Sequence, residues 1–405
     1  MLLPYSSDQP PKNPPLTVVI LVLSHFVLFA VFAILLKTLG ADAVLGVYIQ
    51  LSLVPSDIHW YSLLTYGFLH EDVFHLSINM LFLWVFGSSV EEAIGWARFL
   101  GIYLISIVVT GLLQCLMINV IPGADKMTPI IGASGAVSAI IGLYAVRFYR
   151  SKVRFIVIPV GIPAILLLTV FLLTEMVLSI LSLLSRNGNL QSVAAHWAHI
   201  AGFMLGMLIA HFTHLYMKGK QDYIASDAHI ALQKGSPLAA AARWEQLLKL
   251  QPENIYARTE LAKCWLVAGD LEQSANCYVL AIEQNIKKGQ KKQAVDIYLE
   301  MNRVLPNAEI PPETMIRVCA ALEEEKQYGE SLKGLNDLLA AHPNCKEAEM
   351  AAFRKGILLL NKLNEPLQSA EVFADFIIHY PESELRSHAD MLLEQARKEI
   401  IRQID

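Results

Sequence analysis

Residues 131–149 read IGASGAVSAIIGLYAVRFY, with no charged side chain before Arg147. The stretch is close to the roughly 20 mostly apolar residues that a membrane-crossing helix needs. It opens on Gly132-Ala133-Ser134-Gly135, so a nucleophile-type serine stands at the start of a hydrophobic span. A later apolar run holds a base-type histidine, His199, in Ala198-His199-Ile200-Ala201-Gly202. Polar groups at membrane depth are costly and are read first as functional. The pair points to hydrolysis inside a lipid bilayer.

Working outward, six apolar runs are long enough to count as spans: about 16–38, 72–90, 99–121, 131–149, 155–184 and 194–217. The fifth is long, and Pro159 and Pro163 suggest a tilt or break near its start. Hydrophobic residues make up 54% of the 405-residue chain and charged ones 17%, too apolar for a wholly soluble protein. The apolarity is uneven, because residues from 221 onward are charge-rich. A net charge of −5 gives no reason to expect a nucleic-acid partner. Of five cysteines, Cys264, Cys277, Cys319 and Cys345 fall in the polar half without metal-type spacing, as in a reducing compartment. Residues 1–15, rich in proline and polar groups, are expected to be a disordered tail and do not read as a cleaved signal.

Loop charges set a direction. With the N-terminus inside, Lys12, Arg98, Arg147, Arg150, Lys152, Arg154, Lys218 and Lys220 lie inside, against Lys126 and Arg186 outside and Lys37 at the outer end of the first span. Both termini are therefore expected in the cytoplasm, in a cell membrane of the bacterial inner type. Ser134 and His199 then fall at matching depth in the outer half of their spans.

The second span begins His70-Glu71-Asp72-Val73-Phe74-His75-Leu76-Ser77-Ile78-Asn79. His75 and Asn79, four apart, share one helix face, and both can donate hydrogen bonds. Donors converging on one point are what a developing oxyanion needs, each contributing about 3 kcal/mol in a dry site. Taken singly, each residue has a plainer reading. A membrane serine usually bonds its own backbone or a neighbouring helix, which is the reading for Ser106 and Ser138, and Cys115 reads as a small packing residue. Together, four suitable polar groups fall on three spans. They are flanked by Gly132, Gly135 and Gly142 on one and Gly202 and Gly206 on another, which lets helix backbones approach closely.

These residues carry a family resemblance. The His-x4-His-x3-Asn run (His70, His75, Asn79), the Gly-x-Ser-Gly run at Ser134 and the Ala-His-x-Ala-Gly-x3-Gly run from Ala198 to Gly206 resemble, in order and placement, a rhomboid intramembrane serine protease over about residues 16–217. The resemblance implies a Ser–His dyad, with Ser134 as nucleophile and His199 as general base. It also implies oxyanion stabilisation by His75, Asn79 and the Ser134 backbone N–H, and support from Gly132, Gly135, Gly202 and Gly206. No carboxylate is evident at that depth to orient the histidine, so ring packing is expected to do so. Two departures stand out. Many rhomboids have an aromatic residue one turn after the nucleophile, where this chain has Ser138. Many also have a Trp-Arg pair in the first outer loop, where this chain has His59-Trp60-Tyr61-Ser62. His196 is expected to face water at the span's outer end, and His70 to structure the site's edge. Glu175, deep in the fifth span, costs at least ~2.5 kcal/mol on insertion scales and is a candidate gate residue.

From Ala228 the pattern is helical throughout. Similar phrases recur at Leu247–Pro252, Met301–Pro306, Leu338–Pro343 and Ile377–Pro381, close to the roughly 34-residue tetratricopeptide period. Ala262–Gly269 and Ala275–Ile282 read as the two helices of one unit. Such repeats stack into a curved solenoid, either a plain stable cap or a surface for a cytoplasmic protein partner or substrate tail.

The expected fold class is all-α: a six-transmembrane-helix rhomboid bundle (16–218), a linker (219–227), and a soluble α-solenoid of tetratricopeptide-like helix pairs (228–405). The expected activity is serine endopeptidase cleavage of membrane proteins, with single-span proteins as substrates. No metal or cofactor is implied. The alternative is a proteolytically silent adaptor that holds clients in the same scaffold while the repeats recruit partners.

Overall fold

The structure is a computed structural model that describes residues 4–155, 161–184 and 190–404. Pro159 and Arg186, used above, lie outside the described residues. The chain divides into two compact units, Met1–Lys220 and Gln221–Asp405.

In the first unit, helix α1 (Leu16–Leu39) leads into a loop that carries α2 (Ala41–Leu51) and the short α3 (Ser62–Thr65). The next span is α4 (Val73–Phe82), continued through a wide π-type turn (Leu83–Gly87) into α5 (Ser88–Ile94). Gly95, at φ +85°, breaks that run, and α6 (Trp96–Val120) follows. The bundle is completed by α7 (Ser134–Arg147), α8 (Ala164–Leu184) and α9 (Leu190–Phe212). Outward-facing apolar side chains such as Leu23, Val27, Ile34, Leu166, Leu173 and Leu181 are exposed, as lipid contact requires. The core is built on Phe99, Tyr103, Tyr144, Leu76, Leu83 and Ile107. Buried Glu91 on α5 caps α1, accepting from the Thr17 and Val18 N–H groups at 2.9 Å each, two donors that the start of a helix otherwise leaves unpaired.

Several expected boundaries shift. Among the described residues, five helices are long and apolar enough to cross a membrane, and α7, with 14 residues, is a shorter one. The expected span 131–149 starts late because its first residues do other work. Ile130 exchanges backbone bonds with Leu53 (2.8 and 3.1 Å), and Gly132 N–H donates to the Tyr66 carbonyl (3.0 Å). The expected span 155–184 also begins late, at Ala164. Before it lie two short strands, β2 (Lys152–Phe155) and β3 (Ile162–Pro163), and β2 pairs with β1 (Pro4–Ser7) of the N-terminal segment. Lys152-Val153-Arg154-Phe155 alternates polar and apolar, the two-residue period of a strand. Part of the segment expected to be disordered thus has a backbone partner. In the first loop Trp60 is 85% exposed. The fold there is held by the Leu53–Ile130 bridge and by the Thr65 hydroxyl donating to the Leu51 carbonyl (2.6 Å).

The second unit is helical. The stretch expected as a linker, 219–227, lies inside α10 (Leu215–Gln233), since Lys220-Gln221-Asp222-Tyr223-Ile224-Ala225 offers no residue that breaks a helix. Then follow α11 (Pro237–Leu250), α12 (Ile255–Ala268), α13 (Leu271–Lys287), α14 (Lys291–Val304), α15 (Pro312–Glu324), α16 (Tyr328–Ala341), α17 (Lys346–Asn361), α18 (Pro366–His379) and α19 (Arg386–Ile404). Each packs on the next. The four recurring phrases end α11, α14, α16 and α18. Three pairs are closed by the same device, a buried serine hydroxyl of the second helix donating to a carbonyl of the first. The bonds are Ser274 to Ala262 (2.9 Å), Ser331 to Cys319 (3.3 Å) and Ser369 to Gly356 (2.9 Å). The unit is therefore an α-solenoid of tetratricopeptide-like helix pairs, as expected.

Candidate active site

Ser134 is the first helical residue of α7, and Val137 N–H to Ala133 C=O (2.9 Å) is the bond that starts the helix. The first N–H groups of a helix have no partner within it, so the backbone at Ser134 presents donors with the positive end of the helix behind them. Gly132 sets the approach at φ +115°, a conformation that favours glycine. A β-carbon there would sit 3.0 Å from the His75 ring.

His199 stands on α9, which packs directly on α7. A β-carbon at Gly202 would land on the Gly135 carbonyl oxygen, one at Gly206 on the Ala139 carbonyl oxygen, and one at Gly142 on the Phe203 carbonyl oxygen. The glycine runs therefore let the two backbones meet, as their spacing suggested. The result is His199 Nε2 at 2.8 Å from Ser134 Oγ, within reach for proton transfer. Ser138, in the aromatic residue's place, sits with its β-carbon 3.3 Å from where a β-carbon on Gly202 would be, so this position packs against α9 backbone rather than beneath a ring.

The other nitrogen of His199 has a partner that the sequence did not reveal. Glu175 of α8 places Oε2 3.1 Å from His199 Nδ1 and 2.6 Å from His196 Nδ1. The side chains are 12% (Glu175), 23% (His199) and 19% (His196) exposed. This corrects two expectations: a carboxylate does stand at the histidine's depth, and His196 turns toward it instead of toward water. Hydropathy flagged Glu175 as costly, but its partner depended on which side of α8 faces α9.

His75 and Asn79 lie on α4, whose start is capped by the Asp72 carboxylate accepting from His75 N–H (2.7 Å). Asn79 is buried, and its Nδ2 has no hydrogen-bond partner, a donor left available to a ligand. His70 is buried too. Its ring lies edge-on to His75 (5.2 Å between centroids) and to His25 of α1 (5.5 Å). His25, which the sequence reading passed over, is fully buried and bonds the Leu21 carbonyl through Nδ1 (2.7 Å). A row of three imidazoles thus leads to the site. Burial, then the neighbouring His25 and His75, push the His70 pKa down to about 3, against a smaller opposing effect of the Phe68 carbonyl.

Among the described residues, Glu175, His196 and His199 form a group whose ligand atoms lie within 4.8 Å of one another. Both Nδ1 atoms already face Oε2 at hydrogen-bond distance, so a cation would have to displace the two protons that make those bonds.

Residues 57–216 match the family model described as Rhomboid domain. Rhomboid protein 1, mitochondrial, of Saccharomyces cerevisiae is 29% identical over 153 residues, 36% of this chain and 40% of that protein. Rhomboid protease GlpG of Serratia proteamaculans is 28% identical over 147 residues, 36% of this chain and 45% of that protein. The chain spans less than half the length of these curated relatives. A solved TPR domain covers 81% of this chain and 98% of its own at 13% identity and a TM-score of 0.24.

Proposed function

We propose, with residues 57–216 a rhomboid domain in an integral membrane protein, that the chain is an intramembrane serine endopeptidase. The observation that carries this reading is the 2.8 Å approach of His199 Nε2 to Ser134 Oγ between two apolar helices.

A serine hydroxyl is a weak nucleophile until a base takes its proton. His199 Nε2 accepts that proton as Ser134 Oγ attacks the scissile carbonyl, and the oxygen of the tetrahedral intermediate becomes an oxyanion. We assign its stabilisation to the Ser134 backbone N–H, the Asn79 Nδ2 and the His75 ring, a reading supported by the unpaired Asn79 Nδ2 and by the His75 ring beside Gly132. Collapse breaks the C–N bond, and the proton on His199 passes to the leaving amine. Water then gives a proton to His199 and attacks the acyl-enzyme, which releases the acid and restores Ser134. Gly202 and Gly206 act by holding the α7 and α9 backbones at the separation this geometry needs, while Gly132 leaves room for the His75 ring and Gly135 for Thr110 of α6. The substrates are membrane proteins, single-span ones above all, cut in or near the membrane-spanning segment. The loop-charge pattern favours both termini on the cytoplasmic side, and the membrane in this reading is of the bacterial inner type. The repeat unit offers a surface for a protein partner or a substrate tail.

The test is cleavage of a single-span reporter by the purified chain in vesicles. Ser134→Ala and His199→Ala should each lower the rate by roughly 10^4-fold or more. Equal cleavage by wild type and Ser134→Ala would end the peptidase reading, and a wild type inert to both reporter and fluorophosphonate would favour the silent adaptor.

A further inference from the structure

If Ser134 and His199 work as a nucleophile and base, only one tautomer of His199 serves. Nδ1 must carry the proton so that Nε2 can offer its lone pair to the serine hydroxyl. Among the described residues, α7 meets His199 by hydrogen bond at Nε2, through Ser134, and supplies no partner for Nδ1. The selection comes from α8. An ionised carboxylate only accepts hydrogen bonds, so both imidazoles at Glu175 Oε2 must donate, His199 from Nδ1 at 3.1 Å and His196 from Nδ1 at 2.6 Å. His199 Nε2 is then an acceptor, and it is the atom 2.8 Å from Ser134 Oγ.

We propose that Glu175 is a positioning residue for the hydrolysis, the third member of a Ser134–His199–Glu175 array, with His196 holding the carboxylate in place. The proposal rests on the peptidase reading and adds a residue to it. Carboxylates in membrane helices are retained where they are paired, and here both donors stand three residues apart on one face of α9. During attack the Ser134 proton moves to Nε2, while the Nδ1 proton stays on His199. Glu175 remains ionised and faces the imidazolium, so the positive charge forms beside a fixed negative one. His196 occupies a second direction at Oε2 and keeps the carboxylate from turning away from His199. A purely structural account would make Glu175 a clasp between α8 and α9. That account predicts changes in stability and in substrate binding but none in how reactive Ser134 is.

The experiment uses the full chain in vesicles and compares wild type, Ser134→Ala, Glu175→Ala, Glu175→Gln and Glu175→Asp. It measures kcat and KM on a single-span reporter, the rate of Ser134 labelling by a fluorophosphonate, and Tm. Glu175→Ala should lower kcat and the labelling rate together by about 100-fold, with KM within about threefold. That is less than the roughly 10^4-fold seen when a soluble triad loses its carboxylate, because the α7–α9 glycine contacts already fix the distance. Glu175→Asp should regain about 10-fold over alanine. Should Glu175→Ala fail to fold, the near-isosteric Glu175→Gln decides through the labelling rate alone, which should still fall about 10-fold or more. Labelling at the wild-type rate in a folded Glu175→Ala or Glu175→Gln, or a loss confined to KM, would overturn the proposal. Ser134→Ala cleaving as fast as wild type would instead remove the peptidase reading beneath it.

Discussion

In the membrane unit, α7 and α9 meet through glycine beside a core of buried aromatics such as Phe99 and Tyr144, and ionisable side chains inside spans are few. In the repeat unit, helices meet through large side chains such as Trp244, Tyr278, Tyr298 and Phe373, all fully buried, and charges cover the outside. The difference follows from the solvent. In water, burying big apolar groups drives helices together, so the repeats interlock aromatics and leave charges where they are cheap. In lipid that drive is absent, so close backbone contact and a few shared hydrogen bonds hold the helices. A charge such as that of Lys291 paired with Glu324 on the solenoid is worth little and signifies little. Glu175, between two histidines on an apolar helix, is the kind of group that lipid does not leave in place without a use.

Four substitutions, in three experiments, test this contrast. The largest effect is expected at Gly206, where any side chain meets the Ala139 carbonyl. Gly206→Leu should destabilise the membrane unit by about 3 kcal/mol or more and abolish Ser134 labelling by fluorophosphonate. Gly101→Leu, with open space around it, should leave both near wild type. If Gly206→Leu folded and labelled normally, the glycine contacts would not be what sets the helix spacing. Next, Trp244→Ala should cost the repeat unit about 3–5 kcal/mol, visible as faster hydrogen exchange across α11 and α12, with Ser134 labelling unchanged within twofold. A fall in labelling would mean that the two regions are energetically coupled. The smallest effect concerns His70. Its folded pKa, about 3, lies below the ordinary 6.5, so between these values the unfolded chain binds more protons than the folded one. Stability is then unaffected above pH 6.5 and declines as pH drops from there toward about 3. Melting curves between pH 7.5 and 5 should slope less for His70→Phe than for wild type.

Much of this was legible in the chain. Ser134 and His199 could be paired because each lies in a glycine-flanked run, and glycine is the visible trace of backbones in contact. The ends of α11, α14, α16 and α18 were legible because each is followed by a proline shortly after the apolar stripe stops. What stayed hidden has physical reasons. α8 is apolar on all sides, as a lipid-bathed helix is, so no polar stripe indicates which way Glu175 points. The same blindness turned His196 toward water. The expected linker 219–227 starts at Gly219, yet this is a close-packing glycine whose β-carbon would meet the Arg147 carbonyl, and α10 runs through it. β2 was concealed by its brevity at the edge of a long apolar run.

On the peptidase reading, the length of α7 has a kinetic consequence. At about 1.5 Å per residue, its 14 residues extend about 21 Å, short of the roughly 30 Å hydrocarbon layer. An upright α7 with Arg147 at one interface would leave Ser134 about a third of the layer below the other. Acylation needs only the substrate that lipid delivers, whereas deacylation needs a molecule that lipid excludes. On the peptidase reading, a helix too short for its layer would set the dwell time of the acyl-enzyme, because it would govern how soon a water arrives.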